Sequence, residues 1–155
     1  MDLLATPKKY TLMAGSAEGP TRLNAFDNAL LAAGIGNVNL LRVSSILPPN
    51  ATEVARLDVQ PGALVPTAYG TITSDAPGEL IAAAVAVGVG ATDDYGVIME
   101  FSGRCGRQEA EERVAEMARA AFRQRGRELE RVLVRGVEHR VGETGCAFAA
   151  VALWY

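Results

Sequence analysis

The stretch CAFAAVALWY, residues 146–155, is apolar over almost its whole length. A strand with one solvent-exposed face alternates polar and apolar residues, whereas a strand covered on both faces can be apolar throughout. The stretch therefore predicts a strand that is covered on both faces. A sheet that contains such a strand must lie between other layers of the fold.

Two amphipathic helices are predicted earlier in the chain. Residues 107–125 carry an apolar stripe at helical spacing, with charges on the other faces and Gly126 as the stop. The stripe consists of Ala110, Val114, Met117, Ala118 and Ala121. Residues 21–33 form a second candidate helix that ends at Gly34. Its apolar positions are Leu23, Phe26, Leu30 and Ala33.

A third helix is expected over residues 79–87, because the preceding Asp75-Ala-Pro-Gly78 is typical of a helix start. The alternation of Ile81, Ala83, Val85 and Val87 also fits a strand. The remaining predicted strands cover residues 10–14, 37–44, 62–74, 95–102, 128–141 and 146–155. Three helices and about six strands predict an α+β fold with layered packing of sheets and helices.

The bulk composition indicates one globular domain over residues 1–155. The net charge of −3 gives no indication of nucleic acid or an anionic membrane as a partner. We expect no transmembrane segment and no secretion signal, and hence a cytoplasmic protein. Cys105 and Cys146 are expected to be small buried side chains, and a metal site is not expected, because the one histidine, His139, lies in no cysteine–histidine cluster. His139 itself has no recognisable partner and is interpreted as structural.

Four polar residues are candidates for chemistry. Glu100 lies in the apolar run VIMEF, where desolvation would raise the proton affinity of a carboxyl and suit it to a general acid; an edge-exposed carboxylate is the alternative. Asp27 borders the apolar face of its helix, where it is either solvated or able to hold a cation such as a guanidinium. Asn37 and Asn39 either form a turn into a strand or supply amide donors to a developing charge.

Two adjacent serines, Ser44 and Ser45, interrupt the apolar run LLRVSSILPPN, residues 40–50. Serines often occur at the ends of strands, where their hydroxyls bond to nearby backbone groups. A turn is therefore the simplest interpretation of the pair from this stretch alone.

Six ordered blocks of the chain resemble the pyruvoyl-dependent arginine decarboxylase family. They are AGSAEG (14–19), LNAFDNALLAAGIGNVNLLRVSSILPP (23–49), GALVPTAYG (62–70), SDAPGE (74–79), GVIMEFSGRC (96–105) and GCAFAAVALWY (145–155). The resemblance covers nearly the whole chain and is weak in the first ten residues, in GVGATDDY and around residues 126–141. It implies a four-layer αββα sandwich and a homotrimer of self-cleaved protomers with active sites between subunits.

The resemblance gives the serine pair a different meaning. It implies that the Ser44–Ser45 bond cuts itself, which leaves a β chain of residues 1–44 and an α chain of residues 45–155. Ser45 becomes the covalent pyruvoyl cofactor, and Asn39 matches the position that assists cleavage. The cleavage needs help from backbone distortion or from oxyanion donors, since resonance stabilises an ordinary peptide bond.

The implied reaction is the decarboxylation of L-arginine to agmatine and CO₂ through a Schiff base between the pyruvoyl ketone and the substrate amine. Glu100 matches the proton donor, and Asp27 matches the position that faces the substrate guanidinium, where a buried carboxylate would discriminate against uncharged substrates. The resemblance also implies that backbone groups near Gly36 and Val38 complete that end of the pocket. Two alternatives remain: the same chemistry on histidine, lysine or ornithine, and a relative that binds a small amine without being cleaved.

Overall fold

The computed structural model describes residues 4–155 and contains two helices and nine strands in that part of the chain. In chain order the elements are β1 (Lys9–Glu18), α1 (Arg22–Ala33), β2 (Asn39–Arg42), β3 (Ile46–Leu47), β4 (Thr52–Glu53), β5 (Leu64–Ser74), β6 (Leu80–Gly90), β7 (Gly96–Gly103), α2 (Arg107–Arg125), β8 (Leu129–Arg140) and β9 (Gly145–Trp154).

The strands form two sheets that pack face to face. The five-stranded sheet has the order β2-β5-β9-β1-β4, and the four-stranded sheet has the order β3-β7-β6-β8. One apolar core lies between the sheets, helix α1 covers the outer face of the five-stranded sheet, and α2 covers the outer face of the four-stranded sheet. The predicted αββα sandwich is confirmed.

Strand β9 occupies the centre of the five-stranded sheet, as its apolar sequence predicts. Ala147, Ala149 and Val151 face the core between the sheets, and Phe148 faces the core under α1. On one side β9 pairs antiparallel with β1 over ten residue pairs, and on the other side with β5. The central strand therefore holds both the first and the middle part of the chain.

The helix expected over residues 79–87 is wrong, because this segment is strand β6. Ile81 and Val85 face the core between the sheets, whereas Ala82 and Ala84 face helix α2. The alternation of large and small apolar side chains at period two, with both faces covered, therefore outweighs the helix-start signal. The Gly78 backbone, with φ of 83°, forms a turn before the strand instead of a helix start.

Helix α1 lies closer to the sheet than its sequence suggests. A Cβ on Gly15 of β1 would lie 2.4 Å from the backbone nitrogen of Ala33, so only glycine permits this approach. Small residues, Ala25 and Ala29, therefore form the buried face, while Leu23 is 75% exposed. The prediction that Leu23 belongs to the core stripe is wrong.

Other boundaries and faces also differ from the predictions. Strand β1 continues past residue 14 to Glu18, and β2 begins at Asn39 and ends at Arg42, within the predicted 37–44. On α2 the stripe is confirmed except for Met117, which is partly exposed. The N-terminus of α2 is capped from outside, because the backbone N–H of Arg107 donates to a Glu138 carboxylate oxygen at 3.0 Å.

A polar clasp joins the two sheets at one end of the sandwich. His139 on β8 lies 2.5 Å from Glu18 on β1, and its other ring nitrogen lies 3.2 Å from the hydroxyl of Ser16. Glu18 also accepts backbone N–H groups from Gly142 and Glu143. The expectation that His139 lacks a partner is therefore wrong, although its structural interpretation agrees with this position.

The clasp predicts a loss of stability in acid. The hydrogen bond from His139 lowers the pKa of Glu18 from 4.5 to about 2, so the stabilisation by the Glu18 carboxylate is complete above pH 4.5 and is lost as the pH falls towards 2. We expect Glu18→Gln to lower the urea midpoint of unfolding at pH 6, with the difference from the parent protein shrinking below pH 4.5. Glu143→Gln is the control and should leave the midpoint unchanged at both pH values; an equal effect of Glu18→Gln at pH 6 and pH 2.5 would contradict the assignment.

Candidate active site

The Ser44–Ser45 bond lies where the chain leaves one sheet for the other. Strand β2 belongs to the five-stranded sheet and β3 to the four-stranded sheet. The backbone N–H of Val43 donates to the Thr67 carbonyl at 3.1 Å, and the Ser45 carbonyl accepts from the Ile98 N–H at 2.8 Å. The bond is thus anchored on each side to a different sheet, and Ser44 is exposed to solvent.

Left-handed backbone strain is not found at the serine pair. Within residues 4–155, the non-glycine residues with positive φ are Asn50 and Asp93. The backbone at the serine pair is therefore free of the left-handed strain that non-glycine residues rarely adopt.

Glu100 lies near the serine pair, on the face of β7 that points between the sheets. It follows Ile98, the residue that binds the Ser45 carbonyl, by two positions on the same strand, which is about 7 Å along β7. A Cβ on Gly70 of the opposite sheet would lie 3.3 Å from the Glu100 Cβ, so glycine makes room there. Desolvation raises the pKa of Glu100, and the charge of Arg42 opposes this rise. The apolar run VIMEF thus predicts the direction of the pKa shift correctly.

Arg42 and Tyr69 belong to the same region, and neither is among the residues predicted from the sequence. A guanidinium nitrogen of Arg42 donates to the Tyr69 carbonyl at 2.8 Å and lies 4.0 Å from a Glu100 carboxylate oxygen. The guanidinium carbon lies 4.3 Å from the centre of the Tyr69 ring. The position of Arg42 three residues before Ser45 is a signal in the sequence that points to it.

A second group of candidate residues lines an open groove of 530 Å³ between α1 and β2. Its lining residues are Leu23, Asn24, Phe26, Asp27, Leu30, Val38, Asn39, Leu40 and Tyr69. Phe26 and Tyr69 form its aromatic lining, with ring centres 6.4 Å apart. Asp27 is exposed in this groove. This exposure agrees with the solvated alternative from the sequence, and the burial that the resemblance implies stays a prediction.

The structure does not bring all candidate residues into one pocket. Ser44 lines a separate apolar depression that includes Leu41, Ile46 and Tyr155. Gly36 lies in a neighbouring pocket that shares Val38 with the groove, and a Cβ on Gly36 would collide with Leu31.

Asn39 lies at the start of β2, away from the serine pair. Its amide nitrogen donates to the Gly62 carbonyl at 3.2 Å, and its backbone N–H bonds to Ala63. The strand rises about 3.3 Å per residue, so Asn39 is about 10 Å from Arg42 and farther from Ser44. Within one chain, the amide of Asn39 does not reach the Ser44 carbonyl.

Comparison with known proteins identifies the family. The model of the family "Pyruvoyl-dependent arginine decarboxylase" matches residues 9–155. The chain belongs to this family.

Cys105 and Cys146 are free thiols, and residues 4–155 contain no group of three or more acidic, cysteine or histidine side chains placed to hold a metal.

Several curated members of the pyruvoyl-dependent arginine decarboxylase family are similar along nearly the whole chain. The relative from Methanocaldococcus jannaschii is 56% identical over 96% of this chain and 91% of its own length. The relatives from Methanococcus aeolicus and Thermococcus kodakarensis are 49% and 46% identical, over 96% and 97% of this chain and 91% and 96% of their own lengths. All three are named pyruvoyl-dependent arginine decarboxylase.

Membership of the pyruvoyl-dependent arginine decarboxylase family implies a carboxy-lyase with a covalent pyruvoyl cofactor. The residues present fit such a group. Ser45 carries a hydroxyl of the kind that forming such a group requires, and the pairing of β3 with β7 anchors the segment that follows it. Within residues 4–155, no helix is long and apolar enough to cross a membrane.

Proposed function

We propose that this protein decarboxylates L-arginine to agmatine and CO₂, using a pyruvoyl group made by its own cleavage between Ser44 and Ser45. The observation that carries the proposal is the position of this bond, anchored to a different sheet on each side and close to the desolvated Glu100. Residues 1–155 then act as one catalytic domain made of a β chain, 1–44, and an α chain, 45–155.

Cleavage begins with attack of the Ser45 hydroxyl on the Ser44 carbonyl, which converts the amide to an ester. Loss of the Ser45 α-proton then eliminates the Ser44 carboxylate and leaves dehydroalanine. Hydrolysis of dehydroalanine releases ammonia and leaves the ketone. Serine fits both steps, because its hydroxyl is the nucleophile and its unbranched β-carbon carries the leaving group.

A pyruvoyl ketone would supply a carbonyl that condenses with the substrate amine and accepts the electron pair left by departing CO₂. Glu100 then donates the proton that replaces CO₂ on the substrate carbon. Its raised pKa supports this role, because a general acid must hold its proton at the working pH.

Asp27 is the proposed partner of the substrate guanidinium. The groove around Asp27 combines one carboxylate with an apolar and aromatic lining, which suits a guanidinium on an aliphatic stem. Backbone groups at Gly36 and Val38 complete this end, where the groove and the adjoining pocket meet.

We further propose that the site forms between subunits of a homotrimer. The separation of Asn39 and Asp27 from the serine pair within one chain supports a site completed by a second copy. Exposed apolar residues on both sides of the serine pair support the same contact: Leu41 is 42% and Ile46 is 43% exposed. A cytoplasmic location completes the proposal and is supported by the two free cysteines.

The test is turnover of arginine, lysine, ornithine and histidine by the purified protein, measured as CO₂ and amine product. We expect strong preference for arginine, and Asp27→Asn should lower kcat/KM for arginine by about 100-fold, mostly through KM, because the guanidinium loses its charged partner. The same substitution should affect lysine less, since lysine cannot form the two-pronged contact.

Asp58→Asn is the matched control, because Asp58 is exposed and lies outside the groove. It should leave kcat/KM unchanged. Equal turnover of lysine and arginine by the parent protein would refute the arginine assignment, and an unchanged KM in Asp27→Asn would refute the role of Asp27.

A further inference from the structure

Arg42 is placed to act on the proposed proton donor. It is the last residue of β2, and its guanidinium turns around the edge of the five-stranded sheet towards Glu100 on the other sheet. Tyr69 holds the guanidinium in two ways, through its carbonyl at 2.8 Å and its ring at 4.3 Å. The exposed fraction of the Arg42 side chain is 56%, so these contacts fix a side chain that is otherwise free to move.

The surroundings leave Arg42 as the charged group nearest to Glu100 among residues 4–155. Gly70 of β5 faces Glu100 from the opposite sheet, and Val85 of β6 is its neighbour in register. Arg135 of β8 is the register partner of Val85 on its other side. Arg135 is therefore two strand spacings, about 10 Å, from Glu100 in the same sheet. A charge at 4.0 Å therefore dominates over one at 10 Å.

We propose that Arg42 is a positioning residue that orients the Glu100 carboxyl and stabilises its charged form after proton donation. The distance of 4.0 Å is too long for a hydrogen bond, so Arg42 acts here as a fixed charge. A proton donor must hold its proton before the step and release it during the step. Desolvation serves the first requirement and the Arg42 charge serves the second. This inference rests on the proposed function of Glu100.

The tyrosine that holds Arg42 also lines the groove of Asp27. Arg42 is thus connected through one residue to the proposed guanidinium site and directly to Glu100.

The experiment is titration of Glu100 by carbon NMR of glutamate-labelled protein, in the uncleaved Ser45→Ala background. In this background, neither cleavage nor turnover affects the measurement. We expect Arg42→Met to raise the pKa of Glu100 by about one unit, because a neighbouring opposite charge is lost. Arg42→Lys should keep the pKa close to that of the background protein, since the charge is retained.

Arg113→Met is the matched control. Arg113 resembles Arg42 because it lies over an aromatic ring, that of Phe101, and pairs with a glutamate. It differs because it lies on α2, which covers the outer face of β7, the strand of Glu100. It should leave the Glu100 pKa unchanged. A Glu100 pKa that does not move in Arg42→Met, or that moves equally in Arg42→Lys, would overturn the proposal.

Activity in the otherwise unmodified enzyme gives a second readout. Arg42→Met should shift the alkaline fall of kcat upward by about one pH unit and change kcat more than KM. If the parent protein produces no agmatine, the proposed function fails, whereas the NMR titration still decides whether Arg42 governs Glu100. If agmatine is produced but the pH profile of Arg42→Met is unchanged, only the inference about Arg42 fails.

Discussion

Ser45→Ala is expected to remain one chain of 155 residues and to lose agmatine production by a factor on the order of 10³ or more. Alanine has no hydroxyl to attack the Ser44 carbonyl and no leaving group to eliminate. The parent protein should instead give two chains under denaturing conditions, divided after residue 44. Intact mass spectrometry measures this directly, and the larger chain should be lighter by one ammonia than simple hydrolysis predicts.

Ser44→Ala is the matched control, since cleavage uses only the carbonyl of residue 44. It should be cut at the same bond and should keep its activity. Agmatine production by an uncut Ser45→Ala chain at the parent rate would refute the pyruvoyl mechanism. An uncut parent chain that remains uncut on long incubation would refute self-cleavage.

Glu100→Gln should give a protein that is cut normally but turns over arginine about 10²- to 10⁴-fold more slowly, because glutamine cannot donate the proton that replaces CO₂. The parent enzyme should lose kcat as the pH rises through the raised pKa of Glu100, since only the protonated carboxyl is a donor. Single-turnover measurements of CO₂ and agmatine separate loss of CO₂ from the later proton transfer.

Glu109→Gln provides the comparison for this substitution, because Glu109 pairs with an arginine on the outer surface of α2. Its kcat should match that of the parent. A kcat within twofold of the parent in Glu100→Gln, after complete cleavage, would remove Glu100 from the role of proton donor.

The sequence predicts the layered fold well where the pattern of apolar and polar residues defines what covers each face of an element. The apolar residues 146–155 and the amphipathic residues 107–125 lead directly to β9 and α2. Residues 79–87 are wrongly predicted as a helix, because a strand covered on both faces has no polar residues that would mark a period of two. The buried face of α1 is mispredicted for a related reason: the close approach at Gly15 favours small residues over Leu23.

For the candidate site, single residues are easier to predict than their arrangement. The apolar neighbours of Glu100 in sequence already indicate its desolvation. The contacts of Arg42 and Tyr69, and the pairing of Glu18 with His139, join residues that are 27 and 121 positions apart. No local pattern marks such pairs. The exposure of Asp27 depends on how the groove lies in the fold, which its helical spacing does not reveal.

The central position of β9 affects how a cut protein would hold together and refold. After cleavage, the smaller chain would contribute β1 and β2, and the larger chain would grip β1 through ten residue pairs with β9 and β2 through β5. The two polypeptides would therefore be interleaved within one sheet and would need no covalent link to stay together. Once denatured, however, they would have to find each other by diffusion, so refolding becomes dependent on concentration. In an uncut protein all strands belong to one chain, so refolding would not depend on concentration, whereas heat inactivation of the cut protein would be irreversible in dilute solution.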